Sequence, residues 1–316
     1  MRIITIPINK RCPLRCGHCA ARFPGTQTGD SARMSQECLD ECIGALDPRT
    51  YSIVLLGGGE PSLEVPLIQF AISRSHAAKL FCAMVTAPVW AATPESAEKF
   101  LESISGIDLI IMSYDRYHLE FLKISNYENA LQAAAGRNIC MAFHLCCSNE
   151  QEKEELLDQL GFLRHLFQVN CTYIVPIGNA AKSVDAQMSR ITVENVASLS
   201  SLPRGCRLGD IQIDEEKTVY GCCWMRAAPR SPFVLSSKLS GLKATLEQLE
   251  RSAKFQAVRR RGFLDALSST GQEAMARLAR GREFLNECHL CLTAMNELGP
   301  EIWNEEIFIP AESHDR

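Results

Sequence analysis

Residues 12–19 read Cys-Pro-Leu-Arg-Cys-Gly-His-Cys, and they directly follow an apolar run at 3–8 that is typical of a buried strand. Cys12, Cys16 and Cys19 therefore share one short loop with the spacing C-x-x-x-C-x-x-C. Three thiolates on one loop can ligate three irons of a 4Fe-4S cubane and leave the fourth iron open for another ligand. A zinc site with a fourth ligand from elsewhere is the alternative that this spacing leaves open.

A second motif, Gly57-Gly58-Gly59-Glu60-Pro61, ends the next predicted strand, at 51–56. Glycines let the backbone approach a ligand closely, and a carboxylate beside them can accept hydrogen bonds from an amino group. A glycine run alone is typical of a turn. Here it follows the cysteine loop by one helix and one strand, so the two motifs would lie at neighbouring strand ends.

Outward from these motifs, apolar runs alternate with amphipathic stretches, which predicts an α/β fold of repeated strand–helix units. The predicted strands are 3–8, 51–56, 80–86, 108–113, 140–146 and 171–175. The predicted helices lie near 34–46, 63–76, 94–104, 127–135 and 151–167. Six such units indicate a partial (β/α)6 barrel, whose active site would lie at the carboxyl ends of the strands.

A second unit is predicted after a linker that begins at Lys182. It contains a hairpin at 210–214 and 218–222, followed by helical patterns at 242–259 and 263–284. The predicted domains are a core at 1–190, a small C-terminal α+β domain at 200–300 and a C-terminal tail at 301–316.

Composition narrows the function classes. Of 316 residues, 46% are hydrophobic and 22% charged, which excludes a disordered chain. The net charge of -4 gives no reason to expect nucleic acid or membrane partners. The chain has 15 cysteines, an odd number that favours metal or sulfur chemistry over a disulfide framework. With no signal peptide and no apolar span, we expect a cytoplasmic protein.

The cysteine loop and the glycine motif together resemble the radical SAM superfamily, over about the first 180 residues. The resemblance implies that Cys12, Cys16 and Cys19 bind a 4Fe-4S cluster whose open iron chelates S-adenosylmethionine (SAM). The residues it implies for SAM binding are Gly58, Gly59, Glu60 and Pro61, which would hold the methionyl amino group, and His18, at the position that usually carries an aromatic ring against adenine. A solvent-exposed loop histidine is the alternative for His18.

Other strand ends supply further candidates. Ser113 is predicted to contact SAM through its hydroxyl, and Gly178 to bring backbone close to the adenine. Asp115 and His118 fit either substrate contacts or a local hydrogen-bonded turn.

The C-terminal unit carries a second cysteine set: Cys206, Cys222, Cys223, Cys288 and Cys291. A fully ligated 4Fe-4S cluster needs four of these five thiols. If Cys222 and Cys223 lie in extended structure, their side chains point to opposite faces, so one of the pair is spare. A zinc site with a buried fifth cysteine is the alternative.

This layout resembles radical SAM enzymes with a SPASM or shorter twitch extension, and most closely the YydG-type peptide epimerases. The matching segments are 113–118, 206–210, 220–223 and the late C-x-x-C. The resemblance implies a second 4Fe-4S cluster on Cys206, Cys222, Cys288 and Cys291. It also implies that Cys223 donates a hydrogen atom to the substrate and that Asp210 contributes to catalysis. Gly221 replaces the proline common before the cysteine pair.

The implied activity is conversion of L to D residues in a ribosomally made precursor peptide, with an electron donor such as flavodoxin or ferredoxin. Three alternatives remain: a dehydrogenase or epimerase of a small-molecule sugar or aminocyclitol, a thioether or carbon–carbon crosslinking peptide maturase, and a zinc-bound peptide-binding scaffold without catalysis. Cys146 and Cys147 end the fifth predicted strand and rank second as hydrogen donors.

Overall fold

The structure is a computed structural model of the chain, and it describes residues 2–20, 33–182, 188, 190–200, 210–222 and 224–298. The backbone contacts divide the chain into two compact units, Met1–Gln187 and Met188–Arg316. Cys206, Cys223 and the predicted tail at 301–316 lie outside the described residues.

The first unit is an α/β unit on six parallel strands, which follow one another across the sheet in chain order. They are β1 (Ile3–Asn9), β2 (Ile53–Gly58), β3 (Phe81–Thr86), β4 (Leu109–Ser113), β5 (Cys140–Cys147) and β6 (Gln168–Tyr173). Parallel strands are normally covered on both faces and are therefore strongly apolar. In β1, Ile4, Ile6 and Ile8 are fully buried.

Seven α-helices lie in the described connections of this unit. They are α1 (Gln36–Gly44), α2 (Val65–Ala77), α3 (Pro94–Ser103), α4 (Arg116–Leu119), α5 (Ile124–Ala134), α6 (Glu150–Leu160) and α7 (Leu163–Leu166). Side-chain caps fix several starts, as at Thr93, which accepts a hydrogen bond from the Ser96 amide. Buried pairs four residues apart, such as Ile68 and Ile72, form the apolar stripes that belong to the core.

The carboxyl ends of these strands meet at one edge of the sheet. β1 pairs with β2 in a register that places Pro7 opposite Gly57 and then shifts, so that Asn9 lies opposite Gly58. The cysteine loop leaves β1 at this edge and the glycine motif leaves β2 beside it. The sheet therefore brings together two motifs that are about 40 residues apart in the chain.

The second unit consists of short strands and helices. Its strands are β7 (Ile191–Thr192), β8 (Asp210–Ile213), β9 (Thr218–Tyr220), β10 (Val234–Ser236) and β11 (Glu283–Phe284). Its helices are α8 (Val196–Ser200), α9 (Leu242–Arg251), α10 (Ala253–Arg261), α11 (Phe263–Ala266), α12 (Ser269–Ala279) and α13 (Glu287–Glu297). β9 pairs antiparallel with both β8 and β10, and β7 pairs antiparallel with β11.

Several predicted element boundaries in this unit were wrong. The predicted helix at 242–259 is broken at Ser252, which has an extended backbone and caps α10 through its hydroxyl. The predicted helix at 263–284 contains two helices and a strand. The predicted linker after Lys182 holds β7 and α8.

Within the described part of the chain, no helix is both long enough and apolar enough to span a membrane.

Candidate active site

The cysteine loop follows β1 and forms a compact turn. The Cys19 amide donates a hydrogen bond to the Cys16 carbonyl over 3.2 Å. Cys16 is buried, whereas Cys12 and Cys19 are partly exposed. The pKa of Cys12 is raised to about 11 and that of Cys16 to about 12, chiefly by burial, with smaller contributions from the neighbouring thiols and carboxylates. The three thiols thus lie within electrostatic reach of one another.

These residues fit an iron–sulfur cluster. A bound cation reverses the electrostatics of such a site, since a coordinating thiol loses its proton outright. Three mutually close thiols on one loop, held at the carboxyl edge of the sheet, provide the ligand set that an open cubane needs.

The glycine motif packs directly on the segment that leads into the cysteine loop. Gly58 has a positive φ of 119°, and a Cβ atom there would lie 2.4 Å from the Asn9 carbonyl oxygen. A Cβ atom on Gly59 would lie 2.0 Å from the Arg11 carbonyl oxygen. The Gly59 amide donates to Asn9 O over 2.9 Å, and the Glu60 amide donates to Arg11 O over 2.6 Å. Glycine is therefore required here for contact between two backbone segments.

Glu60 is buried, and its carboxylate is already hydrogen-bonded. Oε1 accepts from the Ser62 amide and from the Thr86 hydroxyl, at 3.0 and 2.6 Å, and Oε2 accepts from the Ala87 amide at 2.9 Å. Burial raises the pKa of this carboxyl, although the hydrogen bonds oppose the shift. Pro61 begins a 3-10 turn that Glu60 caps. The carboxylate thus ties the loop after β2 to the end of β3, and its predicted contact with the SAM amino group stays a prediction.

Gly178 approaches the far end of the cysteine loop. Its φ is 60°, and a Cβ atom there would lie 2.2 Å from the carbonyl oxygen of Ala20. The next amide, of Asn179, donates to the Cys19 carbonyl over 2.9 Å. Gly178 thus allows close packing on the cysteine loop, which differs from the contact predicted for it. Approach to an adenine stays a prediction.

His18 is packed inside the unit, so the solvent-exposed alternative is wrong. Only 11% of its side chain is exposed, and its ring stacks on Tyr117 with 4.4 Å between centroids. Burial lowers the pKa of His18 to about 4, against the opposing effect of Asp115, so the ring is neutral at pH 7. One face of the imidazole is thus occupied by Tyr117.

Asp115 joins His18 to His118. It caps α4 by accepting hydrogen bonds from the Tyr117 and His118 amides, each over 3.1 Å. Its carboxylate also lies 2.9 Å from His118 Nδ1 and 3.5 Å from His18 Nε2. Burial acts to raise the pKa of Asp115, but the histidines and the capping amide lower it overall. The local hydrogen-bonded turn, one of the two predicted readings, is therefore present.

Ser113 ends β4, next to this group. Its carbonyl accepts a hydrogen bond from the Tyr127 hydroxyl over 2.8 Å. The predicted contact between the Ser113 hydroxyl and SAM stays a prediction.

The two cysteines at the end of β5 have different surroundings. Burial raises the pKa of both, to about 12 for Cys147, so both remain thiols at neutral pH. After burial, the largest effect on Cys146 comes from Asp115, whereas for Cys147 it comes from Cys171. Neighbours on a strand point to opposite faces, and the surroundings indicate that Cys146 faces the side of Asp115.

In the second unit the hairpin is shorter than predicted. β9 ends at Tyr220, and Cys222 lies in a bend beyond it. The extended geometry assumed for Cys222 is therefore absent. The Gly221 amide donates to Phe233 O over 2.8 Å, and a Cβ atom on Gly221 would lie 2.7 Å from the Phe233 Cβ atom. A proline could not donate this hydrogen bond, which accounts for the glycine.

The other described site residues predicted in this unit are two ligands on α13 and one catalytic residue on β8. Cys288 and Cys291 lie three residues apart on α13, on one side of the helix. α13 packs on the segment that follows Cys222, since Asn296 Nδ2 donates to Ala227 O over 2.8 Å. Asp210 is the first residue of β8.

Sequence reasoning missed two polar groups beside the cysteine loop. Asn9 is buried at the end of β1, and its side-chain amide donates to the Glu60 carbonyl over 2.9 Å. Glu64 is buried too and pairs with Arg11. The available signal was the sudden polarity of 9–11 after an apolar strand, but their partners lie about 50 residues away in the chain.

Comparison with known proteins agrees with this geometry. Residues 6–138 match the Radical SAM superfamily. The chain is 22% identical over 277 residues to YydG of Bacillus subtilis (strain 168), whose name links it to peptide biosynthesis, covering 83% of this chain and 82% of YydG.

Among solved structures, native anSMEcpe with bound AdoMet is similar with a TM-score of 0.55 at 12% identity, covering 93% of this chain and 95% of that one. A tagged form of the same protein gives a TM-score of 0.54, with coverage of 89% and 85%. At this identity the likeness concerns the fold.

A radical SAM fold implies a 4Fe-4S cluster and SAM, and the matched residues include the loop at 12–19 with its three cysteines. Residues 6–138 of this chain therefore match the radical SAM superfamily, on an α/β fold with a mostly parallel sheet.

Proposed function

We propose that this chain is a radical SAM peptide epimerase, which inverts L residues to D residues in a ribosomally made precursor peptide. The observation that carries the proposal is the likeness to YydG over most of both chains. The five late cysteines support it, because a fully ligated second cluster would use four of them and leave one thiol spare.

In this proposal Cys12, Cys16 and Cys19 hold the first cluster, and Gly58, Gly59 and Glu60 hold the SAM amino group. When bound, the cluster and SAM supply a 5'-deoxyadenosyl radical, which is the chemistry of the cofactor rather than of the protein. The chain must position SAM and exclude water. Burial of Cys16 and of Glu60 at this edge is consistent with that task.

The stereochemistry is the contribution of the protein. Loss of the Cα hydrogen atom leaves a nearly planar substrate radical, delocalised over the flanking amides. The Cys223 thiol then transfers its hydrogen atom to the opposite face, with Asp210 contributing to the site, so a new C–H bond forms as the S–H bond breaks. The peptide keeps its composition and changes its configuration. The thiyl radical left on Cys223 is returned to a thiol by one electron and one proton.

The electron would come from a low-potential protein such as flavodoxin or ferredoxin. Cys206, Cys222, Cys288 and Cys291 would hold a second cluster, which would supply one-electron chemistry. This cluster would belong to a SPASM or twitch-like domain at 200–300, and the six parallel strands would form a partial barrel in the core. The position of α13 on the segment after Cys222 supports a shared site for the late cysteines.

The paired variants Cys223→Ala and Cys222→Ala test this assignment, since the two positions are adjacent and only one is proposed as a ligand. We expect Cys223→Ala to keep its full iron content and to form 5'-deoxyadenosine, but to give little D product. We expect Cys222→Ala to lose roughly half of its iron, because a 4Fe-4S cluster normally needs four protein ligands. Iron analysis of each variant protein measures its cluster content. Chiral amino acid analysis of the treated peptide measures the D product.

Loss of iron in Cys223→Ala would show that the other member of the pair is the donor. Normal D product from Cys223→Ala would exclude Cys223 and move the donor role to Cys146 or Cys147.

A further inference from the structure

We propose that His18, Asp115 and His118 form a binding site for a single divalent metal ion of borderline character, such as Fe²⁺ or Zn²⁺. This site is distinct from the cluster ligands on the cysteine loop. It does not rest on the proposed peptide chemistry.

The three side chains present the right atoms at the right spacing. Asp115 Oδ2 lies 2.9 Å from His118 Nδ1 and 3.5 Å from His18 Nε2, and one ligand atom from each residue falls within 4.8 Å of the others. A metal with bonds of about 2.1 Å keeps neighbouring ligand atoms about 3 Å apart. Two imidazoles and one carboxylate on one side of a metal are the donor set typical of a mononuclear Fe²⁺ site with open positions.

The carboxylate is already oriented for this task. Asp115 Oδ1 accepts hydrogen bonds from the Tyr117 and His118 amides at the start of α4, which fixes the carboxylate. Both carboxylate oxygens lie 2.9 Å from His118 Nδ1, and Oδ2 is the one that also approaches His18 Nε2, at 3.5 Å. Hydrogen bonds of this kind to a ligating carboxylate orient it and are a normal part of metal sites.

The rings are also held in place. His18 stacks on Tyr117, and the planes of His18 and His118 meet at 76° with 5.2 Å between centroids. A metal binds an imidazole in the ring plane, through a nitrogen lone pair. The metal and an adenine on the second face of His18 would therefore use different parts of the ring.

Burial gives the second, independent indication. Asp115 is 1% exposed, and in the described part of the chain its ion pairs are with His18 and His118. His18 Nε2, the nitrogen that faces this carboxylate, lies 3.5 Å from it, beyond ordinary hydrogen-bond distance. A metal ion between a carboxylate oxygen and an imidazole nitrogen would account for a separation of this size.

Mn²⁺ is a suitable probe, because it prefers oxygen and imidazole ligands and discriminates against the many thiols of this chain. The full chain, carrying its clusters in the oxidised state and without SAM, would be titrated anaerobically with Mn²⁺. The EPR signal of unbound Mn²⁺ then gives the number bound. We expect the wild-type chain to bind about one ion at least tenfold more tightly than Asp115→Asn, a change of about 1.4 kcal/mol or more.

Asp115→Asn is informative because asparagine caps a helix as well as aspartate does, so α4 should persist while the anionic ligand is lost. His118→Ala should also lose the ion. The matched control is His76→Ala, which removes a histidine from an exposed pair with Asp108 at 2.8 Å. That pair belongs to no three-ligand group among the described residues, so the control should bind Mn²⁺ as the wild-type chain does.

Iron analysis of every variant would show that the cluster content is unchanged. The proposal is overturned if the wild-type chain binds no Mn²⁺ at millimolar concentration, or if Asp115→Asn binds it equally well. Either result would mean that the three residues form a hydrogen-bonded group only.

Discussion

At the scale of single residues, the candidate site depends on glycines whose neighbours are backbone atoms. Gly178 and Gly136 both have positive φ, at 60° and 77°. A side chain on Gly178 would collide with the cysteine loop, whereas Gly136 has no atom within 4 Å of the same position. Alanine substitutions at the two glycines therefore separate the cost of the backbone conformation, which both share, from the cost of the collision, which only Gly178 has.

We predict that Gly178→Ala lowers the iron content of the purified protein and that Gly136→Ala leaves it unchanged. Both variants carry the penalty of alanine at positive φ, about 1 kcal/mol. Only Gly178→Ala must also displace Ala20 or Cys19. Iron analysis of anaerobically purified protein checks this, and equal iron content in the two variants would count against the packing of Gly178 on the loop.

Glu60→Gln should weaken both the fold and SAM binding. The glutamine amide replaces one acceptor oxygen by a donor, so it cannot satisfy all of Ser62, Thr86 and Ala87. We expect a loss of about 1–3 kcal/mol in the free energy of unfolding. If the carboxylate also accepts from the SAM amino group, the SAM Kd should rise by a factor of roughly 10 to 100, with the cluster content retained.

Calorimetric titration gives the SAM Kd, and chemical unfolding gives the free energy of unfolding. Glu37→Gln, on the exposed first turn of α1, is the control and should change neither. A SAM Kd in Glu60→Gln equal to that of the wild-type chain would limit Glu60 to bracing β2 against β3.

At the scale of elements, β5 carries a partly buried titratable group, His144, on the side of Asp115. His144 Nε2 lies 2.8 Å from the Thr172 hydroxyl of β6, and burial lowers the pKa of this histidine. The folded chain therefore holds His144 neutral, whereas the unfolded chain takes up a proton below a pH of about 6.5. Its burial thus makes the fold less stable as the pH falls through this range.

We predict that the unfolding midpoint of His144→Gln falls less between pH 7.5 and 5.5 than that of the wild-type chain. Glutamine can keep a hydrogen bond to Thr172 without titrating. Thermal unfolding of the apoprotein at several pH values measures this. His165→Gln, on an exposed position of α7, should behave as the wild-type chain does, and parallel curves for all three proteins would contradict the assignment.

The first five strands of this unit could be predicted because each is an apolar run bounded by polar or glycine residues. β6 carries alternating polar residues and begins at Gln168, three residues before the strand predicted at 171–175. The cysteine loop and the glycine motif could be placed at one edge for the same reason, since parallel strands align their carboxyl ends. The hydrogen-bond partners of Glu60 could not be predicted from the sequence. Thr86 lies 26 residues away, and hydrogen bonds of this kind leave no periodic pattern. The helix break at Ser252 could not be predicted either, because the serine that caps the next helix carries no distinctive sequence pattern.

At the scale of the whole molecule, the sequence holds two separate cysteine sets, and the account assigns a cluster to each. We predict that the triple variant Cys12→Ala, Cys16→Ala, Cys19→Ala keeps about half of the wild-type iron and forms no 5'-deoxyadenosine. Iron analysis and chromatography of the SAM products check both expectations. Loss of all iron, or zinc in its place, would contradict the assignment of two clusters.

The measurement that tests the central claim most directly is the mass and chirality of a candidate precursor peptide after reaction in deuterated water. The thiol donor exchanges with solvent, so the account predicts one D residue with a single deuterium at its inverted Cα and no other change in mass. Loss of two hydrogens, with no deuterium incorporated at an inverted Cα, would indicate dehydrogenation or crosslinking and would contradict the epimerase proposal.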